Sequence, residues 1–219
     1  MNGIKNNSVF SIIILQIFLV AKATETINTL IPSSCSPFGD SPGVHQLNVS
    51  GVGFFDVLCD SQLAGPGWIV IQQRVGGNED FNRDSATYRN GFGSFESDFF
   101  LGLEKIHRIT SLQRYELYIH LVDEDGRTYN ARYDDFKISD KDNGYALSLG
   151  KFSGTIPDAM RSGEFSRFPT NMESPWWYHT HIDCNLNVPY WRRPFWMSIS
   201  LREVKMLIRP KGSDEEVSN

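Results

Sequence analysis

Concentrated positive charge is the first feature that the 219-residue chain lacks. Its 21 lysines and arginines are outnumbered by 26 acidic residues, and the formal net charge is −5 at pH 7. Nucleic acids and anionic membranes attract proteins that carry a clustered basic face. The sequence therefore predicts no nucleic-acid partner, and it argues against an anionic membrane as the main partner.

Catalytic and metal-binding motifs are missing as well. The sequence contains no G-x-S-x-G nucleophile elbow, no phosphate-binding loop and no H-E-x-x-H pair. The acidic segment from Asp140 to Gly144 departs from a calcium loop, because its glycine comes one position early and Lys151 stands where a bidentate acid is required. These absences make an enzyme less expected without excluding one. The acidic segment is typical of an ordinary turn, so we expect no cofactor.

Long apolar runs are confined to the N-terminus. Residues 1–23 combine a polar start containing Lys5, the apolar run Val9–Ala21, and a small-residue A-x-A site ending at Ala23. This order is typical of a secretory signal peptide, with an uncleaved membrane anchor as the alternative. We predict a secreted, extracellular protein whose mature chain begins near Thr24 and is not inserted in the membrane after cleavage.

Cysteine is scarce, with only three residues in the chain. In an oxidising compartment two of them should pair, and Cys35 with Cys59 is the natural pair because the two are close in sequence. Cys184 then remains as a free thiol, or as the bridge of a disulfide-linked dimer. Asn48-Val49-Ser50 is a glycosylation sequon, which we place on the loop side of the segment between Cys35 and Cys59.

Short strands dominate the chain from Cys35 onward. Few and short helices are expected, one after Asp84 and one around residues 102–111. Helices of this kind among hairpin-linked strands indicate an α+β fold with an antiparallel sheet. Alternating or β-branched runs predict strands at Gly53–Cys59, Trp68–Arg74, Tyr115–Val122, Arg127–Tyr133, Tyr145–Leu149 and Ile199–Ile208.

A compact group of potential metal ligands lies near the C-terminus. His179 and His181 would point to the same side of an extended segment, with Cys184 close by and Asp183 or a water as a fourth ligand. Zinc binding and a Cys/His nucleophile are the two chemical interpretations. A single cluster without a second ligand pair is a weak signal, so we favour a loop whose histidines have unrelated roles.

A series of motifs runs in order from Cys35 to Pro210. They are Cys35, Cys59-Asp60, Gly67–Arg74, Asp80-Phe81, Tyr88, Gly91-Phe92-Gly93, Phe99–His107, Tyr115-Glu116-Leu117, Tyr133–Ile138, Tyr145–Gly150, Phe152–Thr155, Trp176-Trp177-Tyr178, Asn185-Leu186-Asn187 and Ile208-Arg209-Pro210. Together they resemble the fibrinogen C-terminal (fibrinogen-related) domain family. We accordingly divide the chain into a signal peptide (1–23), a linker (24–34), this domain (35–210) and an acidic tail (211–219) expected to be disordered.

The resemblance implies an extracellular, non-enzymatic recognition domain. Members of the family bind acetylated sugars, peptide knobs or receptors. Their fold combines a disulfide-closed N-terminal part, a central antiparallel sheet flanked by short helices, and an irregular C-terminal part. The C-terminal part of such a domain carries a calcium loop and the ligand pocket.

This chain departs from the family in that C-terminal part. The segment between Ser166 and Trp176 contains no aspartate, and Glu173 is its one acidic residue, so we expect the family's calcium loop to be absent. The first cysteine of a second disulfide is missing too. His181-Ile182 stands where the family has Cys-His.

Five residues form the candidate ligand-binding set, because their flat faces and polar tips suit sugar rings: Tyr178, His181, Asn185, Tyr190 and Trp191. Trp176 and Trp177 are expected to be core aromatics beneath them. The first functional hypothesis is lectin-like binding of acetylated glycans in innate recognition. The alternative is an extracellular signalling or protein-binding ligand that has lost sugar and calcium binding. A third interpretation is a copy that lacks an exon around residues 170–190.

Overall fold

The computed structural model describes residues 13–17, 31–76, 79–160, 176–177, 183–189 and 191–212. The first of these stretches is helical and exposed, and it is the part of the predicted signal peptide that is described. Most of the predicted linker and the tail beyond Gly212 lie outside the described residues. Within them, no helix is both long and apolar enough to cross a membrane.

The domain is built from short strands with two α-helices. The helices are α1 (Ser85–Asn90) and α2 (Leu103–Leu112), and a 3-10 turn covers Ser36–Phe38. The strands are β1 (Gly43–Val49), β2 (Gly53–Asp60), β3 (Trp68–Arg74), β4 (Phe92–Gly93), β5 (Phe99–Phe100), β6 (Tyr115–Asp123), β7 (Thr128–Tyr133), β8 (Phe136–Ile138), β9 (Leu147–Leu149), β10 (Phe152–Gly154), β11 (Cys184–Asn185), β12 (Phe195–Trp196) and β13 (Ile199–Pro210).

One antiparallel sheet organises the fold, in the order β1-β2-β3-β13-β6-β7-β10. The last strand of the chain, β13, therefore lies in the middle, between β3 and β6. Strand β3 is buried at every residue, including its polar end at Gln72, Gln73 and Arg74. Because buried polar side chains need partners, the end of β3 must be satisfied by other parts of the chain.

The two helices form where the sequence predicts them. Asp84 caps α1 by accepting a hydrogen bond from the backbone N–H of Thr87 at 2.8 Å, and the helix ends before Gly91. In α2, Leu103, Ile106 and Ile109 share the buried face that their three-residue spacing indicates. The α+β prediction with a central antiparallel sheet and short helices is confirmed.

The disulfide between Cys35 and Cys59 is present, which confirms the predicted pairing. The two Cα atoms are 5.8 Å apart across 24 residues of sequence, and both side chains are buried. This bond fastens the segment that precedes β1 to the end of β2. A disulfide of this loop length stabilises a domain by about 3 kcal/mol, mainly by restricting the unfolded chain.

Three local expectations were wrong. Residues Gly43–Val49, which the sequence did not mark as a strand, pair with β2 along their whole length. Asn48 consequently lies within strand β1 and not on a loop. Strand β9 begins at Leu147, because Tyr145 has a φ of 48° and completes the preceding turn. Arg127 also belongs to a turn, since its N–H donates to the Asp123 carboxylate at 2.8 Å.

Candidate ligand-binding site

The C-terminal segment, defined as residues 183–197, is attached to the sheet by two very short strands. Strand β11 pairs with β12, and β12 pairs with the start of β13 through Phe195 opposite Ser200 and Trp196 opposite Ile199. Met197, with a φ of 50°, makes the tight turn between β12 and β13. Few backbone ladder bonds are available here, so the rest of the segment depends on side chains for its position.

The polar end of β3 supplies much of that support. Gln72 donates from Nε2 to the carbonyl oxygen of Leu186 at 2.8 Å. Arg74 donates from Nη1 to the carbonyl oxygens of Val188 at 2.8 Å and Leu186 at 3.3 Å. These bonds join residues more than 110 positions apart and give the buried Gln72 Nε2 and Arg74 Nη1 donors their partners, whereas Gln72 Oε1 has no hydrogen-bond partner among the described residues.

Arg74 itself is held in place from two sides. Its Nε lies 3.3 Å from the Asp98 carboxylate, and its guanidinium sits 4.0 Å from the centre of the Phe81 ring. Burial lowers the pKa of the Arg74 guanidinium, while the neighbouring Asp98 charge opposes that shift. Asp98 also accepts from the N–H groups of Val75 and Gly76. The buried ion pair is thus fully integrated into a hydrogen-bond network.

Three buried tryptophans near the site have structural roles. Trp176 and Trp177 are buried, which confirms that they belong to the core, and their rings meet edge-on at 5.3 Å. Trp177 donates from Nε1 to the carbonyl oxygen of Tyr145 at 3.0 Å. Trp196 donates in the same way to Pro157 at 2.8 Å. The indoles of Trp177 and Trp196 therefore pack in the core and also hold a loop through a hydrogen bond.

Two of the five candidate ligand-binding residues fall in the described part of the chain, and they differ. Trp191 is 56% exposed. Asn185 is buried, and its Oδ1 accepts from the N–H of Asn187 at 2.8 Å, so its side chain shapes the loop and does not face solvent. The burial of Asn185 argues against direct contact with a ligand, and its role stays a prediction. Tyr178, His181 and Tyr190 lie outside the described residues.

The comparisons with known proteins agree with this architecture. The family described as fibrinogen beta and gamma chains, C-terminal globular domain, matches residues 43–174. Human tenascin-R is 38% identical over 148 residues, which are 61% of this chain and 11% of tenascin-R. Fibrinogen-like protein A of Apostichopus parvimensis is 33% identical over 178 residues, which are 74% of this chain and 63% of that protein.

A solved structure extends the match beyond residue 174. The fibrinogen-like globe domain of human ANGPTL6 superposes with a TM-score of 0.76 at 29% identity, over 83% of this chain and 96% of that one. The chain belongs to the fibrinogen C-terminal domain family. It spans less than two thirds of the length of tenascin-R and of fibrinogen-like protein A.

Membership of this family sets the general character of the protein. Fibrinogen-like domains are generally non-enzymatic, and no enzyme family is indicated for this chain. Tenascin-R and fibroleukin, which are among the relatives, are extracellular proteins. Both points agree with what the sequence predicts for this chain.

Cys184 occupies the core beside the candidate site of this fibrinogen-like domain. The thiol is free and only 3% exposed, and its Sγ lies 3.5 Å from the carbonyl oxygen of Ala159, to which it donates. Burial raises the pKa of the Cys184 thiol to about 12. A disulfide between two chains would require this part of the core to open, so burial works against the predicted dimer.

No metal centre is assembled in the part of the chain that the structure describes, where no three His, Cys, Asp or Glu residues lie close enough to hold an ion. His179 and His181 fall outside that part. Of the two described members of the predicted cluster, Asp183 is exposed, whereas Cys184 is enclosed by the core and its thiol has a raised pKa. A buried neutral thiol is a poor metal ligand and a poor nucleophile, because both roles require the thiolate.

Sequence reasoning overlooked the residues that position the site. Gln72 and Arg74 are buried within β3, yet they hold the backbone from Leu186 to Val188. The signal available in the sequence was a seven-residue strand that changes from apolar to polar residues. The structure shows that all seven residues are buried. Its buried partners are distant in sequence, so the pattern alone could not name them.

Proposed function

We propose that this domain binds an extracellular protein ligand through the loop of Trp191, Arg192 and Arg193. The main support for this proposal is that Trp191 is 56% exposed on a loop whose preceding backbone is held by hydrogen bonds from Gln72 and Arg74. Trp and Arg are the residue types most often found at the energetic centre of protein interfaces. An exposed indole on a preorganised support loses little conformational freedom on binding.

The charge of this loop supports a ligand with an acidic surface. Arg192 and Arg193 are both exposed, whereas the chain as a whole carries a net charge of −5. Arg193 pairs with Glu124 at 3.2 Å, but both side chains remain largely in solvent, so that pair is weak and exchangeable. A local cationic loop on an acidic protein favours complementary acidic partners and steers their approach.

Glycan binding is the second candidate, because an exposed indole face also stacks on sugar rings. Its support is reduced by the burial of Asn185, which was one of the polar contacts expected for a sugar. Of the two described members of the candidate set, the exposed Trp191 suits either function.

A direct binding experiment separates the two candidates. The secreted chain would be immobilised and screened against a panel of cell-surface ectodomains, and in parallel against a glycan array with and without calcium. We expect a protein partner whose affinity falls at least about tenfold in Trp191→Ala, the loss typical of a central interface tryptophan. We expect a smaller loss in Arg192→Ala.

Val44→Thr provides a matched control, because Val44 is as exposed as Trp191 but lies on β1 at the edge of the sheet. The control should bind like the natural sequence. Binding to a glycan that Trp191→Ala abolishes, with no protein partner recovered, would replace the protein proposal by the glycan one. A protein partner whose affinity is the same for Trp191→Ala and Val44→Thr would move the interface elsewhere.

A further inference from the structure

The outward face of the β1–β2 hairpin carries an aromatic side chain that the core does not use. Phe54 is 47% exposed, and in β2 the buried positions begin only at Val57. Leu47 and Val49 of β1 are fully buried, so the alternation of the strand turns Asn48 to the opposite, outer face. Asn48 and Phe54 are direct partners in the register of the hairpin.

The geometry of this pair brings the two side chains close together. The N–H of Asn48 donates to the carbonyl oxygen of Pro32 at 3.0 Å, on the side away from β2. Asn48 and Phe54 are therefore a non-hydrogen-bonded pair, the kind in which Cα atoms approach to about 4.5 Å and side chains lie nearest each other. A group attached to the Asn48 amide would lie against the Phe54 ring.

Asn48 is also the acceptor residue of the sequon Asn48-Val49-Ser50. Ser50 is exposed at the start of the hairpin turn, which is closed by the bond from Val52 N–H to the Val49 carbonyl oxygen at 3.0 Å. Among the described strands, none pairs with the outer edge of β1, so a bulky, solvated group on the amide would extend from the outer face of the hairpin beside the segment of Pro32.

We infer that Asn48 carries an N-linked glycan whose first sugar rests on the ring of Phe54. In the transfer, the Asn48 Nδ2 atom bonds to the anomeric carbon of an oligosaccharide donated by a lipid diphosphate. The bond from that carbon to the diphosphate oxygen breaks, and the amide nitrogen releases one proton. The apolar face of the sugar then covers part of the exposed ring, which removes apolar area from water.

This arrangement would also cover an exposed apolar side chain. The outer edge of β1 is already bonded at Asn48 to the Pro32 carbonyl oxygen, and the Phe54 ring is the apolar group that stays in solvent beside it. A glycan at Asn48 would shield that ring from contact with other chains. The inference concerns the face of the hairpin and does not depend on which ligand the loop of Trp191 recognises.

The test is a double-variant cycle on the full chain secreted from eukaryotic cells that add high-mannose glycans. Glycopeptide mass spectrometry would first show the occupancy of Asn48. Trimming with an endoglycosidase would leave one sugar, and Ser50→Ala would supply the unglycosylated form. We expect loss of the glycan to lower Tm by about 2–4 °C, the shift that about 1 kcal/mol causes in a domain of this size.

The same comparison in a Phe54→Thr background should show little or no Tm shift, because the sugar has lost its aromatic partner. In the matched Val44→Thr background, the hairpin loses an exposed side chain that does not face Asn48, and the full shift should remain. A secreted chain without sugar on Asn48 would overturn the inference. So would a Tm shift of equal size in the Phe54→Thr and Val44→Thr backgrounds.

Discussion

The main sheet and the C-terminal segment belong to one domain but are stabilised in different ways. The sheet is held by continuous backbone ladders, such as the pairing of β13 with β6 over nine residue pairs. The C-terminal segment has two strands of two residues each, and it is held largely by side chains that reach across from β3. A ladder is a repeated local pattern, whereas side-chain anchors are individual and distant in sequence.

This contrast predicts that the two regions differ in how well they tolerate side-chain substitutions. Ladder bonds tolerate changes of side chain as long as the alternation of buried and exposed residues is kept. Anchors such as Arg74 do not, because each one satisfies particular carbonyl groups. The candidate binding loop lies on the part of the domain that depends on anchors, so its shape should respond to single substitutions far from it in sequence.

Arg74→Met is the substitution with the largest expected effect. It removes the buried partner of Asp98 and leaves the carbonyl oxygens of Leu186 and Val188 without Arg74 as donor. We expect the free energy of unfolding to fall by about 3–5 kcal/mol, as for other buried ion pairs that lose one member. Urea denaturation would measure the loss, and hydrogen exchange should show the earliest opening at residues 186–188.

Arg132→Met is the matched control for Arg74→Met. Arg132 also pairs with a buried carboxylate, that of Glu116, but its side chain is 43% exposed and Glu116 keeps Arg209 as a partner. Its loss should cost about 1 kcal/mol or less. Equal losses for the two variants would show that the C-terminal segment does not depend on β3.

Removal of the disulfide between Cys35 and Cys59 tests the stability of the main sheet. The double variant Cys35→Ser/Cys59→Ser should lose about 3 kcal/mol of unfolding free energy, because the unfolded chain gains the entropy of the opened 24-residue loop. Binding by the loop of Trp191 should be unchanged in the folded protein. A reducing agent should destabilise the natural sequence by a similar amount and leave the double variant unaffected.

Cys184 should make stability fall in alkaline solution. Its pKa is about 12 in the folded state, against about 8.5 for an unfolded thiol. Above the lower value the unfolded state binds fewer protons than the folded state, so stability decreases as pH rises by about 1.4 kcal/mol per unit until the higher value is reached. Buried tyrosines with raised pKa values, such as Tyr133, add a decline of the same sign at higher pH.

The contribution of Cys184 is isolated by comparison with Cys184→Ala. Urea denaturation at several pH values from 8 to 10.5 should give a flatter pH dependence for the alanine variant. The native thiol should also react with an alkylating reagent at pH 8 at least about a hundred times more slowly than the unfolded chain does. Rapid native alkylation, or a dimer on non-reducing gels, would show that the thiol is accessible.

Trp196→Phe should have the smallest of these effects. The variant keeps a buried aromatic ring but loses the hydrogen bond from the indole N–H to the Pro157 carbonyl oxygen. We expect a loss of about 1 kcal/mol in thermal or urea unfolding. Trp177→Phe is the parallel case, because it loses the hydrogen bond to the Tyr145 carbonyl oxygen. Similar losses of unfolding free energy in the two variants would indicate that each indole contributes through one hydrogen bond.

Local patterns predicted most of the sheet and both helices. Strand β3 was predicted with its observed bounds, because a β-branched and aromatic run between turn residues is a strong local signal. Strand β1 was missed, since Gly43–Val49 contains a glycine, a histidine and an asparagine and becomes a strand through pairing with β2. The start of β9 was placed two residues early, because nothing local reveals the left-handed conformation of Tyr145.

The candidate site was less accessible to sequence reasoning. The exposure of Trp191 agrees with its place in the candidate set, whereas Asn185 was included because its amide suits a sugar, and it is buried instead. Residue type indicates what a side chain can bind. Its direction is set by neighbours such as Asn187, whose N–H the Asn185 side chain accepts.

Local periodicity, cysteine spacing and motifs in a fixed order were enough to predict the family, the α+β class, the alternation that builds the sheet and the pairing of Cys35 with Cys59. The enclosure of Cys184, the placement of Asn48 opposite Phe54 and the support that Arg74 gives to the loop before Trp191 became visible only in the folded structure. Those facts depend on contacts between distant segments, and such contacts exist only once the chain has folded.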